Sequence, residues 1–458
     1  MRIILLSGGS GKRLWPLSSD VRAKQFLKVL KNKEDHLESM VQRVWGQLEN
    51  AGLQEVTSIV TSQSQADMIR SQIGTSVPLI IEPDRKDTFP AIALSCVYLY
   101  DSMNIDLEEV ITILPVDPYV NDDYFLSLKS LEKLITRSQP ELALMGVKPT
   151  YPAQKYGYII PNSVQDKVIN VSHFVEKPTE ENAEQLIKNG ALWNCGVFAF
   201  KLGHIIKLLE EQGFPTTFNN MIDEYEKLPK ISFDYAVVEK SHNIKAIAYE
   251  GEWKDLGTWN TITEEIAENI VGKGKISNDS INSHLINELD IPIMLLGLSN
   301  TVVAASPDGI LVSEKSASPR LKEMIGDFDQ RPMYEERRWG WYRVLDYIKQ
   351  EDGNEVLTKR LCLLEGKNLS YQLHHHRSEV WTIISGIGEF ILDDVLQTVK
   401  PGDVLQIPVG VKHGLKAITD IEIIEVQMGS QLIEEDIIRF SLDWNEILTQ
   451  VISVERSL

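Results

Sequence analysis

The sequence predicts an α/β domain with a mostly parallel mixed sheet, followed by a short β segment and an all-β barrel. In the first part, apolar runs at 56–61, 77–81, 110–114 and 142–147 alternate with amphipathic helical patterns, as in βαβ units. After about residue 339, strand-like runs are separated by Gly, Pro and Asp, which is typical of small barrels and sandwiches.

These changes of pattern set the expected domain boundaries. The α/β domain covers 1–262, and short β-rich pieces with Gly, Asn and Ser between them fill 263–330. A charged, proline-interrupted stretch predicts a linker over 331–338. The all-β domain then takes 339–458.

Composition and charge exclude several classes of protein. The formal net charge of −20 over 458 residues argues against nucleic acid or an anionic membrane as partner, because both bind basic faces. No apolar run approaches the roughly 20 residues of a membrane span, and the run at 3–6 is too short for a signal-peptide core. Three distant cysteines fit reduced thiols better than disulfides. We therefore expect a cytoplasmic protein.

A glycine-rich loop directly follows the first apolar run. Its glycines allow unusual backbone angles and let backbone N–H groups approach an anion closely. The loop fits neither the Walker A nor the dinucleotide fingerprint, and a tight turn between strand and helix is the plain alternative. Because several cations lie in or after the loop, we expect a polyphosphate to bind there. The candidate residues are Gly8, Gly9, Gly11 and Lys12, with Arg13, Arg22 and Lys24 as further cations.

An acid ends one of the apolar runs. Asp117 closes the run that begins at Val110, and ligands of parallel sheets bind at the carboxyl ends of strands. A carboxylate that faces triphosphate oxygens requires Mg²⁺ between them. Asp117 is therefore a candidate magnesium ligand, and an acid that caps a turn is the alternative.

Several strings of this sequence resemble those of the sugar-1-phosphate nucleotidyltransferases, in their mannose-1-phosphate guanylyltransferase version. The longest is the glycine loop with Arg-Leu-Trp-Pro-Leu-Ser, followed by Lys-Gln-Phe-Leu from Lys24. The other matches are Leu-Pro-Val-Asp up to Asp117, Tyr-Gly-Tyr-Ile from Tyr156, Phe-Val-Glu-Lys-Pro from Phe174, Trp-Asn-Cys-Gly-Val-Phe from Trp193 and Trp-Lys-Asp-Leu-Gly-Thr-Trp from Trp253.

The resemblance implies a Rossmann-like nucleotidyltransferase domain and a role for each matched residue. Arg13 and Lys24 would neutralise the departing pyrophosphate, and Asp255 would join Asp117 on Mg²⁺. Glu82 belongs to a string that faces the base, in which Lys86 and Asp87 replace the family's Arg and Asn. The implied sugar-phosphate residues are Gly157, Glu176, Lys177 and Asn194, with Asp234 and Glu239 as supporting residues.

A second group of candidate ligands lies in the all-β part. Residues 374–376 are three consecutive histidines, and strand alternation places Gln372 and His374 on the same side. The spacing of Gly, Pro, Glu and His around them resembles the two cupin motifs, which implies a site for Zn²⁺ or another divalent ion. The implied ligands are Gln372, His374, Glu379 and His413. The pair His374 and His376 is a rival choice, and an exposed histidine cluster is the plain alternative.

This half of the chain resembles the C-terminal domain of bifunctional mannose-1-phosphate guanylyltransferase/mannose-6-phosphate isomerases. The string Gln-Leu-His-His-His-Arg-Ser-Glu-Val-Trp begins at Gln372. In place of the family's His, Arg and Asn, this chain has Val380, Gly414 and Ala417. A polar side chain and a positive charge suited to binding phosphate are therefore missing near the metal ligands. Arg377 remains as a candidate phosphate ligand, and isomerase activity and a non-catalytic barrel both stay open.

Together these resemblances imply an enzyme that makes GDP-mannose and pyrophosphate from GTP and mannose 1-phosphate with Mg²⁺. The resemblance also implies a left-handed β-helix-like segment and a homodimer. Two alternatives remain. One is transfer to another sugar 1-phosphate beside a non-catalytic cupin, and the other is a regulatory protein that binds sugar nucleotides without turnover.

Overall fold

The computed structural model of the chain separates into two compact units. The first comprises Met1–Leu14, Ala23–Asn269 and Lys315–Leu321, and the second comprises Trp15–Arg22, Ile270–Glu314 and Lys322–Leu458. The described residues are 1–9, 12–19, 22–162, 168–266, 268–326, 331–433 and 436–455.

The first unit is built on a nine-stranded mixed sheet. Its strands, in spatial order, are Leu79–Glu82, Thr57–Ser62, Arg2–Ser7, Val110–Pro115, Leu192–Lys201, Leu142–Val147, Ile244–Tyr249, Val168–Glu176 and Gly157–Pro161. The strand pairings give seven strands one direction, and only Leu192–Lys201 and Val168–Glu176 run the other way. The sheet is therefore mixed, as predicted.

Helices cover both faces of this sheet, and neighbouring residues of its strand Arg2–Ser7 enter two different cores. Ile3 and Leu5 belong to one buried cluster and Ile4 to the other. Among the described residues of the first unit, the α-helices are Met40–Asn50, Gln63–Ile73, Thr88–Val97, Asp123–Ser138, Glu180–Lys188, Leu202–Glu211, Phe218–Asp223, Phe233–Ala236 and Trp259–Ile262. Four short strands complete it: Leu30–Lys31, Leu37–Glu38, Pro118–Val120 and Trp253–Asp255.

One helix of this unit is shorter than its sequence pattern predicts. The apolar pattern after Trp259 predicts a helix to about residue 270, whereas the helix ends at Ile262. The Thr263 hydroxyl donates to the Trp259 carbonyl at 2.7 Å, and such local side-chain bonds compete with continued helix. A strand, Ile270–Gly272, occupies the predicted helix end.

The second unit begins with small β pieces. Its strands are Ile270–Gly272, Gly274–Ile276, His284–Asn287, Ile293–Leu295, Thr301–Ser306 and Gly309–Glu314, and a short helix, Leu321–Ile325, follows. The pairings between the first five of these strands are parallel. Arg22 also belongs to this unit, where its guanidinium makes two 2.8 Å hydrogen bonds to the Glu288 carboxylate.

Two antiparallel sheets form the rest of the second unit. The six-stranded sheet has the order Tyr334–Arg337, Gly340–Lys349, Glu355–Leu363, Ile421–Gly429, Arg377–Ser385 and Val404–Ile407. The five-stranded sheet has the order Val395–Val399, Gly388–Leu392, His413–Ala417, Tyr371–Leu373 and Ile438–Ser441.

Two features here differ from the sequence prediction. The strand Tyr334–Arg337 lies inside the predicted linker, because it pairs with Gly340–Lys349 as a hairpin. The helix Trp444–Glu455 ends a region that was expected to be β throughout. It starts where Trp444 and Ile447 are buried against Tyr371 and Ile391, so its apolar positions follow a helical spacing.

Among the described residues, no helix has the length and apolar character needed to cross a membrane.

Candidate active site and metal centre

A two-stranded ribbon brings the two candidate magnesium ligands together. Asp117 directly precedes the strand Pro118–Val120, and Asp255 ends the strand Trp253–Asp255. The strands are antiparallel with Asp255 opposite Pro118. Two acids that are 138 positions apart in the sequence therefore lie on adjacent strands.

Lys24 links the two carboxylates directly. Its Nζ lies 2.7 Å from Asp117 Oδ2 and 3.2 Å from Asp255 Oδ1. Burial alone would lower the pKa of Lys24, but the two carboxylates outweigh it and raise this pKa well above its ordinary value. Lys24 therefore stays protonated at any physiological pH.

Lys155, which the sequence analysis did not select, holds the other oxygen of Asp255. Its Nζ lies 3.3 Å from Asp255 Oδ2. Burial would raise the pKa of Asp255, but the charges of Lys24 and Lys155 outweigh it and keep this pKa far below its usual range. The only sequence signal was its place directly before the Tyr-Gly-Tyr-Ile string.

A cavity of about 250 Å³ opens beside the glycine loop. Leu6, Ser7, Gly8, Gly9, Gln25, Val60, Glu82, Arg85, Lys86, Asp87, Thr88, Ala91, Pro115, Val116 and Asp117 line it. The loop, the candidate base-facing string and one candidate metal ligand thus share one cavity, which the sequence alone could only suggest.

Glu82 lies at the buried end of this cavity. Tyr225 donates a 2.6 Å hydrogen bond to its Oε1, and a Cβ added to Gly8 would lie 3.4 Å from its Oε2. Burial raises the pKa of Glu82 to about 7, although the Tyr225 hydrogen bond and the Arg85 charge oppose the rise. Tyr225 was missed because no sequence pattern joins it to Glu82.

Two glutamine side chains hold the loop. Gln25 donates to the Ser7 hydroxyl and to the Gln65 side-chain oxygen, each at 3.3 Å. Gln65 in turn donates to the Gly9 carbonyl at 3.3 Å. Because both glutamines are buried, this network fixes the backbone that leads into the loop.

Lys12 and Arg13 are not among the described residues that line the cavity. Lys12 and Arg13 lie in a short 3₁₀ helix, Lys12–Leu14, and the Arg13 side chain is exposed. Gly11 lies outside the described residues. Lys86 lines the cavity, but its Nζ donates hydrogen bonds to the Glu226 and Leu228 carbonyls. Two of its three donors are therefore used by backbone oxygens.

The four candidate sugar-phosphate residues form two contact groups. Gly157 is paired with Glu176 across neighbouring strands, and Lys177 Nζ lies 2.8 Å from Glu176 Oε1. Asn194 donates to Asp234 Oδ1 at 2.9 Å. Burial and the negative charge of nearby Glu176 raise the pKa of Asp234 to about 7, so the two groups adjoin.

A separate cluster in the second unit has the composition of a metal site. His374, Glu379 and His413 are all buried, and one ligand atom from each lies within 4.8 Å of the others. His374 Nε2 is 3.2 Å from Glu379 Oε1, and His413 Nε2 is 3.6 Å from Glu379 Oε2. Three of the four predicted ligands thus meet at one point.

Hydrogen bonds on the far side of each imidazole fix its tautomer. His374 Nδ1 lies 2.5 Å from the Asp436 carbonyl oxygen, and His413 Nδ1 lies 3.0 Å from that of Val411. Each Nδ1 therefore carries the proton, and each Nε2 keeps its lone pair. Burial lowers the pKa of both histidines, which keeps them neutral. Among described atoms, His413 Nε2 is buried without a hydrogen-bond partner, as a metal ligand requires.

Gln372 and Arg377 border this cluster. Gln372 Nε2 lies 3.4 Å from His374 Nε2, and a 180° turn of the amide would present its oxygen as a ligand. Arg377 is buried, and it donates from Nε to Glu379 Oε1 at 2.9 Å and from Nη1 to the Ile433 carbonyl. Its guanidinium faces the candidate ligand rather than solvent. The rival ligand His376 is exposed and is not part of the cluster.

Comparisons with known proteins match both parts of the chain. Residues 2–270 match the nucleotidyl transferase family model, and residues 329–442 match the model for the mannose-6-phosphate isomerase C-terminal domain. Alginate biosynthesis protein AlgA of Pseudomonas syringae is 28% identical over 474 residues, covering 95% of this chain and 95% of that protein. Mannose-1-phosphate guanylyltransferase of Escherichia coli is 27% identical over 478 residues, covering 96% of this chain and 97% of that protein.

One solved structure supports the same fold. A crystal structure described as mannose-1-phosphate geranyltransferase from Thermus thermophilus matches with a TM-score of 0.59 and 26% identity, covering 71% of this chain and 99% of that chain. The nucleotidyl transferase model spans more than half of the 458 residues. The chain therefore belongs to the nucleotidyl transferase family.

Proposed function

We propose that this protein is a mannose-1-phosphate guanylyltransferase, which makes GDP-mannose and pyrophosphate from GTP and mannose 1-phosphate. The observation that carries the proposal is the pair of acids, Asp117 and Asp255, held on one ammonium group beside the cavity of the glycine loop. The names of the relatives support the choice of GTP and mannose 1-phosphate.

The residues fit an in-line transfer without a covalent enzyme intermediate. A phosphate oxygen of mannose 1-phosphate attacks the α-phosphorus of GTP. The bond between the α-phosphorus and the oxygen that bridges it to the β-phosphorus breaks, and pyrophosphate leaves with that oxygen. Arg13 and Lys24 neutralise the leaving group, and Lys177 binds the attacking phosphate. Catalysis then depends on positioning and charge neutralisation.

The acid pair suits Mg²⁺. Both carboxylates offer hard oxygen ligands, which Mg²⁺ prefers, and both side chains are between one fifth and one third exposed, so an ion can reach them. When bound by Asp117 and Asp255, Mg²⁺ supplies positive charge to the phosphates. With the ion bound there, the Lys24 ammonium would be available to the triphosphate.

A substrate panel tests this function. Purified protein with Mg²⁺ is incubated with pairs of nucleoside triphosphate and sugar 1-phosphate, and pyrophosphate release is followed. We expect GTP with mannose 1-phosphate to give the highest kcat/KM, and Asp255→Asn to lower kcat about 10²- to 10³-fold. The control Asp223→Asn changes an exposed acid at a helix end and should leave kcat unchanged. Preference for another sugar, or binding without turnover, would replace this proposal by the corresponding alternative.

We also propose that the second unit isomerises mannose 6-phosphate and fructose 6-phosphate at a divalent metal. The buried, unpartnered His413 Nε2 beside His374 and Glu379 supports a metal site, and Zn²⁺ suits such N and O ligands. Arg377 would orient Glu379. The proposed fold of the two antiparallel sheets is a cupin barrel. The parallel strands before it support a left-handed β-helix-like segment. The proposed homodimer would form through this segment.

Metal content and isomerisation test this second function. Wild-type protein should contain about one tightly bound divalent ion per chain by mass spectrometry, and His413→Ala should lose both the ion and the conversion of fructose 6-phosphate. The control His36→Ala changes an exposed histidine of the first unit and should lose neither. Metal binding without conversion would leave the barrel as a structural or regulatory domain.

A further inference from the structure

Lys155 lies close to both the candidate magnesium ligands and the candidate sugar-phosphate residues. Its ammonium contacts Asp255 Oδ2 at 3.3 Å, while Lys24 contacts the other oxygen of the same carboxylate. Asp255 therefore has a separate cation on each oxygen. Lys24 serves both acids, whereas Lys155 contacts only Asp255 among the described carboxylates.

The backbone that follows Lys155 reaches the candidate sugar-phosphate residues within two positions. The Tyr156 carbonyl accepts a 3.2 Å hydrogen bond from the Lys177 backbone N–H. Gly157, the next residue, is paired with Glu176 across the strands. Lys155 thus contacts the candidate metal ligand Asp255 through its side chain, and the residue after it is hydrogen-bonded to the backbone of the candidate phosphate ligand Lys177.

The side chain of Lys155 is held and still accessible. Its Nζ lies 4.7 Å from the centroid of the Tyr156 ring, a distance that allows cation–π attraction. The side chain is 37% exposed. An ammonium group has three N–H donors, and Asp255 accepts only one, so donors remain for an anion.

From these contacts we propose that Lys155 binds a phosphate oxygen of the incoming sugar 1-phosphate. The inference deepens the proposed function and rests on it, because the sugar phosphate is the nucleophile of that reaction. Asp255 holds the ammonium, and Lys155 then joins Lys177 as a second cation on the attacking phosphate. Two cations on one phosphate align its oxygen with the α-phosphorus and offset its charge.

Steady-state kinetics of Lys155 variants test the inference. We expect Lys155→Met and Lys155→Gln to raise KM for mannose 1-phosphate about 10- to 100-fold, as for loss of one charged hydrogen bond. KM for GTP should change less than about twofold. Lys155→Arg keeps the charge and should recover most of the affinity. Lys207→Met, which changes an exposed lysine on the helix Leu202–Glu211, is the matched control.

The possible outcomes separate the inference from the function on which it rests. If wild-type protein turns over GTP and mannose 1-phosphate but both neutral variants keep KM for the sugar phosphate, the inference is wrong and the function stands. A rise of KM for GTP together with a fall of kcat would also overturn it, because that pattern assigns Lys155 to positioning Asp255. No turnover by wild-type protein would instead reject the proposed function. Melting temperatures of the variants check that each is folded.

Discussion

Gly157 has no room for a side chain. A Cβ at this position would come within 2.5 Å of Glu176 Oε2 and closer still to the Phe174 ring. Because Phe174 is buried, the strand or the Glu176 side chain must move to admit even a methyl group. We expect Gly157→Ala to destabilise the first unit by about 1–3 kcal/mol and to raise KM for the sugar phosphate.

Urea unfolding and steady-state kinetics check this prediction, and the chain offers a control of opposite sign. Gly46 lies inside the helix Met40–Asn50, and a Cβ there would meet nothing within 4 Å. Gly46→Ala should therefore stabilise the protein by roughly 0.5–1 kcal/mol. A neutral or stabilising Gly157→Ala would contradict the close packing around Glu176.

Glu82 gives the first unit a pH dependence of known sign. Its pKa is raised from 4.5 to about 7 in the folded protein, so between these values the folded state holds a proton that the unfolded state has lost. The stabilisation is complete below about pH 4.5 and is lost as pH rises through about 7, with a total of up to about 3 kcal/mol.

Glu82→Gln removes this titration while it keeps an acceptor for Tyr225. We therefore expect the melting temperature of wild-type protein to fall more between pH 5 and pH 7.5 than that of Glu82→Gln. The comparison of the two slopes is the measurement, since other groups titrate equally in both proteins. Parallel slopes would show that the Glu82 carboxyl is not protonated at pH 5.5 to 6.5.

At the scale of elements, the ribbon that carries the acid pair is fixed by a helix. Gln47, on the helix Met40–Asn50, donates to the Val120 carbonyl at 2.9 Å and to Asp122 Oδ1 at 3.0 Å. Because Val120 is fully buried, water cannot readily replace Gln47 as the donor to its carbonyl. The helix itself begins with a capping box between Ser39 and Gln42.

Removal of this link should loosen the ribbon. Gln47→Leu keeps a similar size but leaves the Val120 carbonyl unpaired, at an expected loss of about 1–3 kcal/mol. Because the ribbon positions Asp117 and Asp255 rather than the substrates, kcat should fall more than KM rises. Gln212→Leu, at an exposed helix end, should change neither. A loss of stability with normal kcat would show that the ribbon is held without Gln47.

At the scale of the whole molecule, the sequence predicted the elements better than their connections. The strand Leu142–Val147 was predicted at its observed bounds, because short apolar runs between turn residues have few other structures. Lys155 and Tyr225 were missed, since their partners Asp255 and Glu82 lie 100 and 143 positions away. Only the folded sheet brings such residues together, so spacing in the sequence holds no signal for them.

Two further candidate ligands came only from the resemblance to family strings. Asp255 and His413 have no local pattern that marks them as ligands, and they were selected because longer strings around them resemble known families. The structure then placed Asp255 beside Asp117 on Lys24, and His413 beside His374 and Glu379. The distances between these three side chains support a metal site in the second unit independently of the strings that suggested it.

The two candidate sites lie in different compact units, and each has its own complete set of charged residues. We therefore expect the two activities to be lost separately. Asp255→Asn should lower nucleotidyl transfer about 10²- to 10³-fold and leave isomerisation within about twofold. His413→Ala should remove isomerisation and leave transfer within about twofold, because neither substitution removes a ligand of the other site. A chelator followed by added Mg²⁺ should restore transfer alone, and Zn²⁺ or another divalent ion should then restore isomerisation. Loss of both activities in either variant, with both proteins folded by circular dichroism, would show that the sites depend on each other.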